Sequence, residues 1–181
     1  MSDYLFGEVL NRRANLTRPQ VAVDGQRLAR EADYELVRAA APVRVRPARV
    51  GVDAGLLGQF PQATAVGYAQ GLDVRPGDRL GVVRGTTLLT TAAQLGATQI
   101  EVEQATSIEP GRRLHLRDTM SFAEAVAQSV AGNSVTLREP LTVALAGEAS
   151  VELVDSYEAL GAEDVAGEGH HVRVALREVE V

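Results

Sequence analysis

The histidines are the first residues in this chain whose types suggest chemistry. His170 and His171 are adjacent near the end of the sequence, with Glu163 and Glu168 close by, while His115 lies far upstream. Imidazole and carboxylate groups are common ligands of metal ions. Neighbouring residues of a strand point to opposite faces of a sheet, so one regular strand cannot direct both adjacent histidines at the same ion. We therefore expect no metal site and no cofactor, and we assign His170 and His171 to the surface or to an interface.

Two aspartates resemble an acid–base pair in their spacing. Asp73 and Asp78 flank a Pro-Gly turn, and general acid–base catalysis would need a cleft and a raised pKa on one of them. Aspartates beside turns more commonly hydrogen-bond the turn itself. The sequence contains no lysine, no cysteine and no nucleophile-elbow, zinc-protease or phosphate-loop motif, which excludes Schiff-base and thiolate chemistry. We predict that the protein is not an enzyme.

Arginines provide the most organised charged group. Arg44, Arg46 and Arg49 lie in the segment 42–52, in which valine alternates with arginine or proline. This alternation predicts a half-buried strand with Arg44 and Arg46 on one face. Such a face can meet a phosphate or an acidic neighbour, so we predict a subunit or partner contact at these three arginines. A solvated edge strand is an equally good interpretation.

The composition limits the classes of function. The 181 residues include 24 acidic residues and 18 arginines, a net charge of −6, with 4% aromatic residues and no tryptophan. These values argue against a mainly phosphate-binding protein and against stacking on single-stranded nucleic acid. Residues 1–50 are net basic and the remainder is acidic, which favours head-to-tail stacking of complementary surfaces, although scatter over two solvated faces is an alternative. No apolar stretch approaches the roughly 18 residues of a membrane span, and the first residues lack the features of a signal peptide.

Short elements must position these residues. Ser2 and Asp3 suit the start of a helix, and residues 29–41 contain many helix formers before Pro42, so we predict one or two short helices near the N-terminus. Residues 51–64 fit neither the helical nor the strand period, and we expect a long loop there with apolar residues at its tip. From Ala65 onward, β-prone runs separated by turn signals predict a barrel or a sandwich. The runs are 65–69, 79–83, 87–90, 98–103, 113–117, 124–130, 134–138, 149–154 and 171–179.

Two segments of the chain echo each other. Val74–Leu80 and Ile108–Leu114 both place Pro-Gly at the centre of a turn that leads into a strand. Proline presets one φ angle of a type II turn and glycine accepts the positive φ that follows. The echo indicates equivalent starts of two β units, although Pro-Gly before a strand is common in β proteins.

Residues 90–154 resemble a small β module that is frequent in phage virion proteins. The shared pattern is a GAT turn, a strand, a turn glycine before another strand, a "V-x-G-x-x-V-T-L-x-x-P-L" segment and a final "G-x-x-V". We expect this module to fold on its own as an insertion, with Thr90 and Val154 adjacent at the ends of paired strands. The matching residues are Gly96, Ala97, Thr98, Ile100, Val102, Ile108, Gly111, Leu114, Val130, Gly132, Val135, Thr136, Leu137, Pro140, Leu141, Gly147 and Val151.

The two flanks of this module together resemble the small β-barrel of tailed-bacteriophage head-closure proteins, also called stopper or head–tail connector proteins. The resemblance covers residues 42–89 and 154–181 and is broken by the insertion, while residues 1–41 match poorly. A "D-V-x-x-G-D-R" turn and a later "Y-x-x-x-G" segment carry it. The residues concerned are Asp73, Val74, Gly77, Asp78, Arg79, Tyr157 and Gly161.

The resemblance implies a mainly β fold, a connector-type barrel formed by residues 1–89 and 155–181, with residues 90–154 inserted. It implies a structural protein of the phage neck, made in the host cytoplasm and assembled in the virion as a homo-oligomeric ring of about twelve copies. The implied partners are a portal or adaptor protein, tail terminator or tail tube proteins, and genomic DNA in the channel, with no membrane. The loop would then serve as a channel or gating loop. Its residues are Gly55, Leu56, Leu57, Gly58, Gln59 and Phe60.

A second function remains open. The inserted module would equally suit a tail-associated β-rich protein that binds a host-surface or capsid ligand. A connector should form large rings or assemble on the portal complex, whereas a receptor-binding protein should be a monomer or trimer that binds cells or glycans.

Overall fold

A computed structural model describes residues 12–21, 34–165 and 171–180. The chain is mainly β, as the sequence predicts, with one short helix in the described part. That helix, α1, spans Ala54–Gln59. The strands are β1 (Arg12–Pro19), β2 (Tyr34–Pro47), β3 (Ala65–Ala69), β4 (Arg79–Leu88), β5 (Gln99–Glu101), β6 (Arg113–Arg117), β7 (Phe122–Ala131), β8 (Ser134–Leu137), β9 (Ser150–Val165) and β10 (His171–Glu178).

The helix predicted over residues 29–41 is wrong from Tyr34 onward, where β2 begins. Alanine and glutamate favour a helix locally, but partners distant in sequence decide the conformation here. β2 pairs antiparallel with β3, and the backbone N–H of Ala40, whose φ is +50°, donates to the buried side chain of Asn15 at 3.0 Å. The helix predicted after Ser2, and residues 29–33, lie outside the described residues.

The chain divides into two compact units, and the first contains residues 12–18, 36–82, 156–165 and 171–180 of the described part. Its strands are hydrogen-bonded in the order β1, β4, β9, β10, β3, β2, and β2 also neighbours β1, so the order returns to its first strand. Alternate residues of these strands point inward, as a period of two requires. The core comprises Ala14, Leu16, Ala41, Val43, Ala65, Ala69, Leu72, Val74, Leu80, Val82, Ala159, Val174 and Leu176.

The second unit contains residues 19–21, 34–35 and 83–155 of the described part and has a separate core, formed within 83–155. Its strands follow the order β4, β9, β6, β7, β8, β5. Beyond β5 the chain returns to β4, since Thr90 N donates to Glu101 O and Glu103 N donates to Leu88 O, both at 2.9 Å. The core comprises Leu89, Ala93, Ile100, Val102, Ala105, Ile108, Leu114, Leu116, Ala123, Ala125, Ala127, Val135, Leu137, Leu141, Leu145, Ala149, Val151 and Leu153.

Thr90 and Val154, the predicted ends of the inserted segment, are not paired with each other in the structure. Leu89 N donates to Ala149 O at 2.9 Å and Leu89 O accepts from Glu148 N at 3.0 Å. Val154 instead lies further along β9, where it pairs with Arg113. The predicted adjacency of Thr90 and Val154 is therefore wrong, because the pairing of β4 with β9 continues past the predicted boundary. Autonomous folding of the insertion stays a prediction.

Candidate functional site

The basic strand β2 positions the arginines that the sequence singles out. Arg44 lies opposite Tyr68 of β3 and Arg46 lies opposite Val66. Val43 before them is fully buried in the core and Val45 between them packs against it, so Arg44 and Arg46 share the opposite, outward face. Both arginines are half-buried, and Arg49 is exposed just beyond the end of the strand.

Arg46 makes a bidentate ion pair with Asp53 beneath the surface. Its Nη1 donates to Oδ2 of Asp53 at 2.7 Å and its Nη2 donates to Oδ1 at 2.8 Å, with Asp53 only 1% exposed. The same Nη2 donates to the Tyr68 hydroxyl at 2.8 Å, and the guanidinium lies 5.6 Å from the centre of that ring. The pairing with Arg46 lowers the pKa of Asp53 below its ordinary value, and the backbone N–H of Arg49 adds to this effect. Fork-to-fork geometry of this kind fixes orientation as well as charge.

Asp53 already pairs with the Arg46 guanidinium within the same chain, and the predicted partner contact at Arg46 stays a prediction. Arg44 and Arg49 are different: in the described ranges neither side chain takes part in an ion pair. These two arginines therefore remain available for an anionic partner.

The segment 51–64 contains a helix where the sequence predicts a loop. Leu57 N donates to Asp53 O and Phe60 N donates to Leu56 O, both at 2.8 Å. Leu56 is fully buried against Val66 and Ala175, and Leu57 and Phe60 pack at the edge of the same cluster. The exposed apolar tip expected at these residues is wrong, since they anchor α1 to the strands of their own unit. Gly55, Gly58 and Gln59 face solvent.

Gly161 explains how α1 is seated. A Cβ atom at this position would overlap the ring of Phe60, so only glycine lets the ring lie directly on β9. The glycine and the aromatic residue are a hundred positions apart in sequence, and nothing in the local pattern links them. The glycine that carries part of the family resemblance thus has a packing role in this chain.

We expect Gly161→Ala to lower the free energy of unfolding by about 1–3 kcal/mol, because the added methyl group forces the Phe60 ring out of its seat. Urea denaturation followed by tyrosine fluorescence checks this. The matched control is Gly58→Ala, whose added methyl meets nothing within 4 Å and which should be neutral or stabilising. Equal midpoints for Gly161→Ala and the unmodified chain would contradict the account, as would failure of Phe60→Ala to relieve the effect.

The turn between β3 and β4 is held by Asp78, as predicted for a turn aspartate. Its buried carboxylate accepts from Arg75 N and from Nη2 of Arg18, both at 2.8 Å, across a turn in which Gly77 has a φ of +90°. Asp73 is exposed and pairs with Arg75 at 2.8 Å. These contacts hold the turn, and they place one aspartate in a buried and the other in an exposed environment.

A buried charged cluster in the second unit was not predicted from the sequence. Nε2 of His115 lies 3.1 Å from Oε1 of Glu124, and Nη1 of Arg113 lies 3.9 Å from its Oε2, with all three side chains at most 2% exposed. On the next strand Glu152 accepts from Nη2 of Arg117 at 2.8 Å. The only signal was the regular alternation of polar and apolar residues over 113–117, which predicts a strand but not that its polar face is buried.

The described residues contain no cluster of side chains that could bind a metal ion. No group of three histidine, aspartate or glutamate side chains in that part of the chain is arranged to hold an ion. Glu168, His170 and the side chain of His171 lie outside the description, so the predicted surface assignment of those histidines stays a prediction.

Membrane insertion through a helix has no candidate either, since none in the described part of the chain is long and apolar enough to cross a bilayer. The arrangement on β2 and α1 is a basic surface beside a helix that is anchored by its apolar residues and by the Arg46–Asp53 pair. No protein-family model matches this sequence, and a search of the curated proteins gives no match.

Proposed function

We propose that this protein is a structural component of the neck of a tailed phage, where copies of it form a ring that joins the portal complex to the tail. The ring would retain DNA after packaging and pass it during ejection. Its partners would be a portal or adaptor protein on one side and tail terminator or tail tube proteins on the other, with DNA in the channel.

The strand order of the first unit is the observation that carries this proposal. Six antiparallel neighbours whose order returns to its starting strand support a small barrel. Segments 42–89 and 154–181, which carry the family resemblance, supply three of the six strands whole and parts of two more. The core of this unit takes no residue from 83–155. A strand order that closes on itself, with a second core formed within 83–155, is consistent with a connector barrel that carries an inserted module.

The surface chemistry supports assembly rather than catalysis. Arg44 and Arg49 present cations on the outward side of a rigid element, and the ionic anchor Arg46–Asp53 keeps that element in place. Charged groups of this kind contribute orientation and association rate to protein contacts. An arginine face of fixed geometry also suits passage of a phosphate backbone without sequence preference.

Deletion of the gene from the phage genome tests the function directly. Particles assembled without the protein should contain filled heads that lose DNA and lack joined tails, and supply of the protein in trans should restore joined particles. Electron microscopy and a count of DNA-containing heads measure the result. Normal tailed, DNA-retaining particles from the deletion phage would contradict the proposal.

A tail-associated binding role is the second candidate, and exposed apolar residues of the second unit favour it. Met120 is 91% exposed and Leu95 is 68% exposed. Asp118 fixes the turn that carries Met120 by accepting from Met120 N and Ser121 N, both at 2.7 Å. Binding of the purified protein to host cells, lost in Met120→Asp, would support this role over the neck.

A further inference from the structure

The turn that follows β2 presents two apolar side chains beside a cation. Val50 is 84% exposed and Val52 is 69% exposed, and the exposed Arg49 precedes them. Within the described ranges Arg49 takes part in no ion pair. We name Arg49–Val52 the β2 tip. Scattered single exposed apolar residues are ordinary, but here two valines lie on either side of one glycine in a single turn.

The β2 tip is fixed by hydrogen bonds within its own unit. Val52 N and Asp53 N both donate to Arg49 O, at 3.1 and 2.8 Å, and Arg49 N donates to the buried carboxylate of Asp53 at 2.8 Å. A turn that is already ordered loses little conformational entropy when it binds. The β2 tip therefore presents its valines in one geometry.

A hollow of about 440 Å³ lies in the same unit, beside the hairpin of β9 and β10. Its apolar wall comprises Leu72 and Val74 of the core together with the exposed Ala162 and the half-buried Val172 of the hairpin. Asp164 also lines it, lies opposite Val172 in the hairpin, and is exposed without an ion pair among the described residues. We name this apolar hollow with an acidic rim the distal hollow.

The register of β3 places the β2 tip and the distal hollow at opposite ends of the strands. Pro47, just before the tip, lies opposite Ala65 at the start of β3. Ala69, at the end of β3, lies opposite Val172 of the hollow. Four residue steps of about 3.3 Å put the two ends of β3 roughly 13 Å apart. One surface therefore lies at each end of this part of the unit.

We propose that the β2 tip of one copy of this chain inserts into the distal hollow of a second copy. Val50 and Val52 cover the apolar wall at Val172, and Arg49 pairs with Asp164. Burial of the valines supplies affinity, and the charge pair supplies orientation. Because the two surfaces lie at opposite ends, each copy binds one neighbour through each, and the contact repeats head to tail until it closes. The inference rests on the proposed ring and names its contact.

Engineered cysteines test the contact, because the chain contains no cysteine of its own. Val50→Cys and Ala162→Cys, both at exposed positions, are prepared in the full chain as separate single variants and as one double variant. Oxidation is followed by denaturing electrophoresis, both for concentrated protein and for phage particles that carry the variants. Leu95→Cys, also exposed but in the second unit, measures random collision.

Glu178→Cys is the control for the geometry of the contact. Glu178 is exposed and lies on the tip's own edge, because Ala48 N donates to Thr64 O at 3.0 Å and Glu178 N donates to Thr64 Oγ1 at 3.1 Å. In a head-to-tail contact the tip of one copy stays away from Glu178 of the next, so Val50→Cys mixed with Glu178→Cys should crosslink no faster than Leu95→Cys. A two-fold contact between two such edges would bring these positions together.

The expected pattern is specific to a contact between opposite ends. Val50→Cys and Ala162→Cys should each crosslink alone only at the collision rate, their mixture should give only a dimer, and the double variant should give a ladder of increasing length. Arg49→Glu in the tip should reduce the mixed dimer at least tenfold, because it places a carboxylate against Asp164. Asp164→Arg in the partner should then restore the dimer.

Three results would overturn the inference. They are a mixture of Val50→Cys and Glu178→Cys that crosslinks as readily as the mixture with Ala162→Cys, no mixed dimer above the collision rate in either solution or particles, and crosslinking of Ala162→Cys to a different particle protein instead of a second copy. These outcomes are separate from failure of the proposed function. A ladder from a protein that is dispensable for joined particles would keep the contact and remove the neck role, whereas a neck protein without the ladder would lose only the contact.

Discussion

Replacing Asp53 by alanine should lower the free energy of unfolding of the first unit by about 3–5 kcal/mol, because it leaves the Arg46 guanidinium partly buried without its counter-charge. The side chains are 1% and 14% exposed, so solvent screens this pair weakly. The loss should also release α1, because the same carboxylate fixes Arg49 N. Urea denaturation followed by tyrosine fluorescence measures it: Tyr68 and Tyr157 lie in the first unit, and residues 83–155 contain no tyrosine or tryptophan.

The control for this prediction is Asp73→Ala. Asp73 also pairs with an arginine at 2.8 Å, but the two side chains are 71% and 60% exposed, so its removal should cost at most about 1 kcal/mol. Similar shifts for the two variants would contradict the claim that burial makes the Asp53 pair strong.

The same pair predicts a direction of pH dependence. Arg46 lowers the folded-state pKa of Asp53 below its ordinary value of 3.8. The unfolded chain therefore binds a proton more readily, so the stabilisation is fully present above about pH 4 and is lost as the pH falls through the lower folded-state pKa. Asp53→Asn should remove this component, and its stability curve should then lie closer to flat between about pH 4 and the acid transition.

Strand positions were the part of the fold that the sequence could predict. The run 65–69 coincides with β3 and the run 113–117 coincides with β6, since alternation marks a half-buried strand regardless of its partners. The predicted strand ends are wrong where a strand continues through a polar stretch. The runs 79–83 and 87–90, predicted as two strands, belong to one strand, β4. Closure of the strand order depends on pairing at long range, which no local pattern encodes.

Local propensity misled the interpretation at two positions. Ala39–Ala41 favour a helix, yet they lie in β2, which neighbours β1, and Ala40 N donates to the side chain of Asn15 in that strand. In α1 the glycines argued against a helix, although Leu56 and Phe60 have the spacing of four residues that places two side chains on one face of a helix. The sequence placed the three arginines near one another, but it could not show that Asp53 would take Arg46 and leave Arg44 and Arg49 free.

The buried cluster of the second unit supplies the other large expected effect. Replacing Glu124 by alanine should lower the free energy of unfolding of that unit by about 3–5 kcal/mol, because it removes the carboxylate that faces both Arg113 and His115. Burial already lowers the pKa of Arg113, and the charge of Glu124 opposes that effect. Loss of the carboxylate removes an opposite charge from beside a cation that is buried in the protein.

Hydrogen exchange locates this effect, since residues 83–155 contain no tyrosine. Amides of β6 and β7 should exchange faster in Glu124→Ala, while those of β3 and β10, whose core takes no residue from 83–155, should keep their protection. Glu139→Ala removes an exposed glutamate of the same unit and should leave both patterns unchanged. Glu124→Gln keeps a polar contact with His115 but removes the negative charge. If its loss of protection is close to that of Glu124→Ala, the effect comes from the lost charge beside Arg113. Uniform loss of protection across both units would instead mean that they unfold together, because a defect in one core would then cost the other its stability.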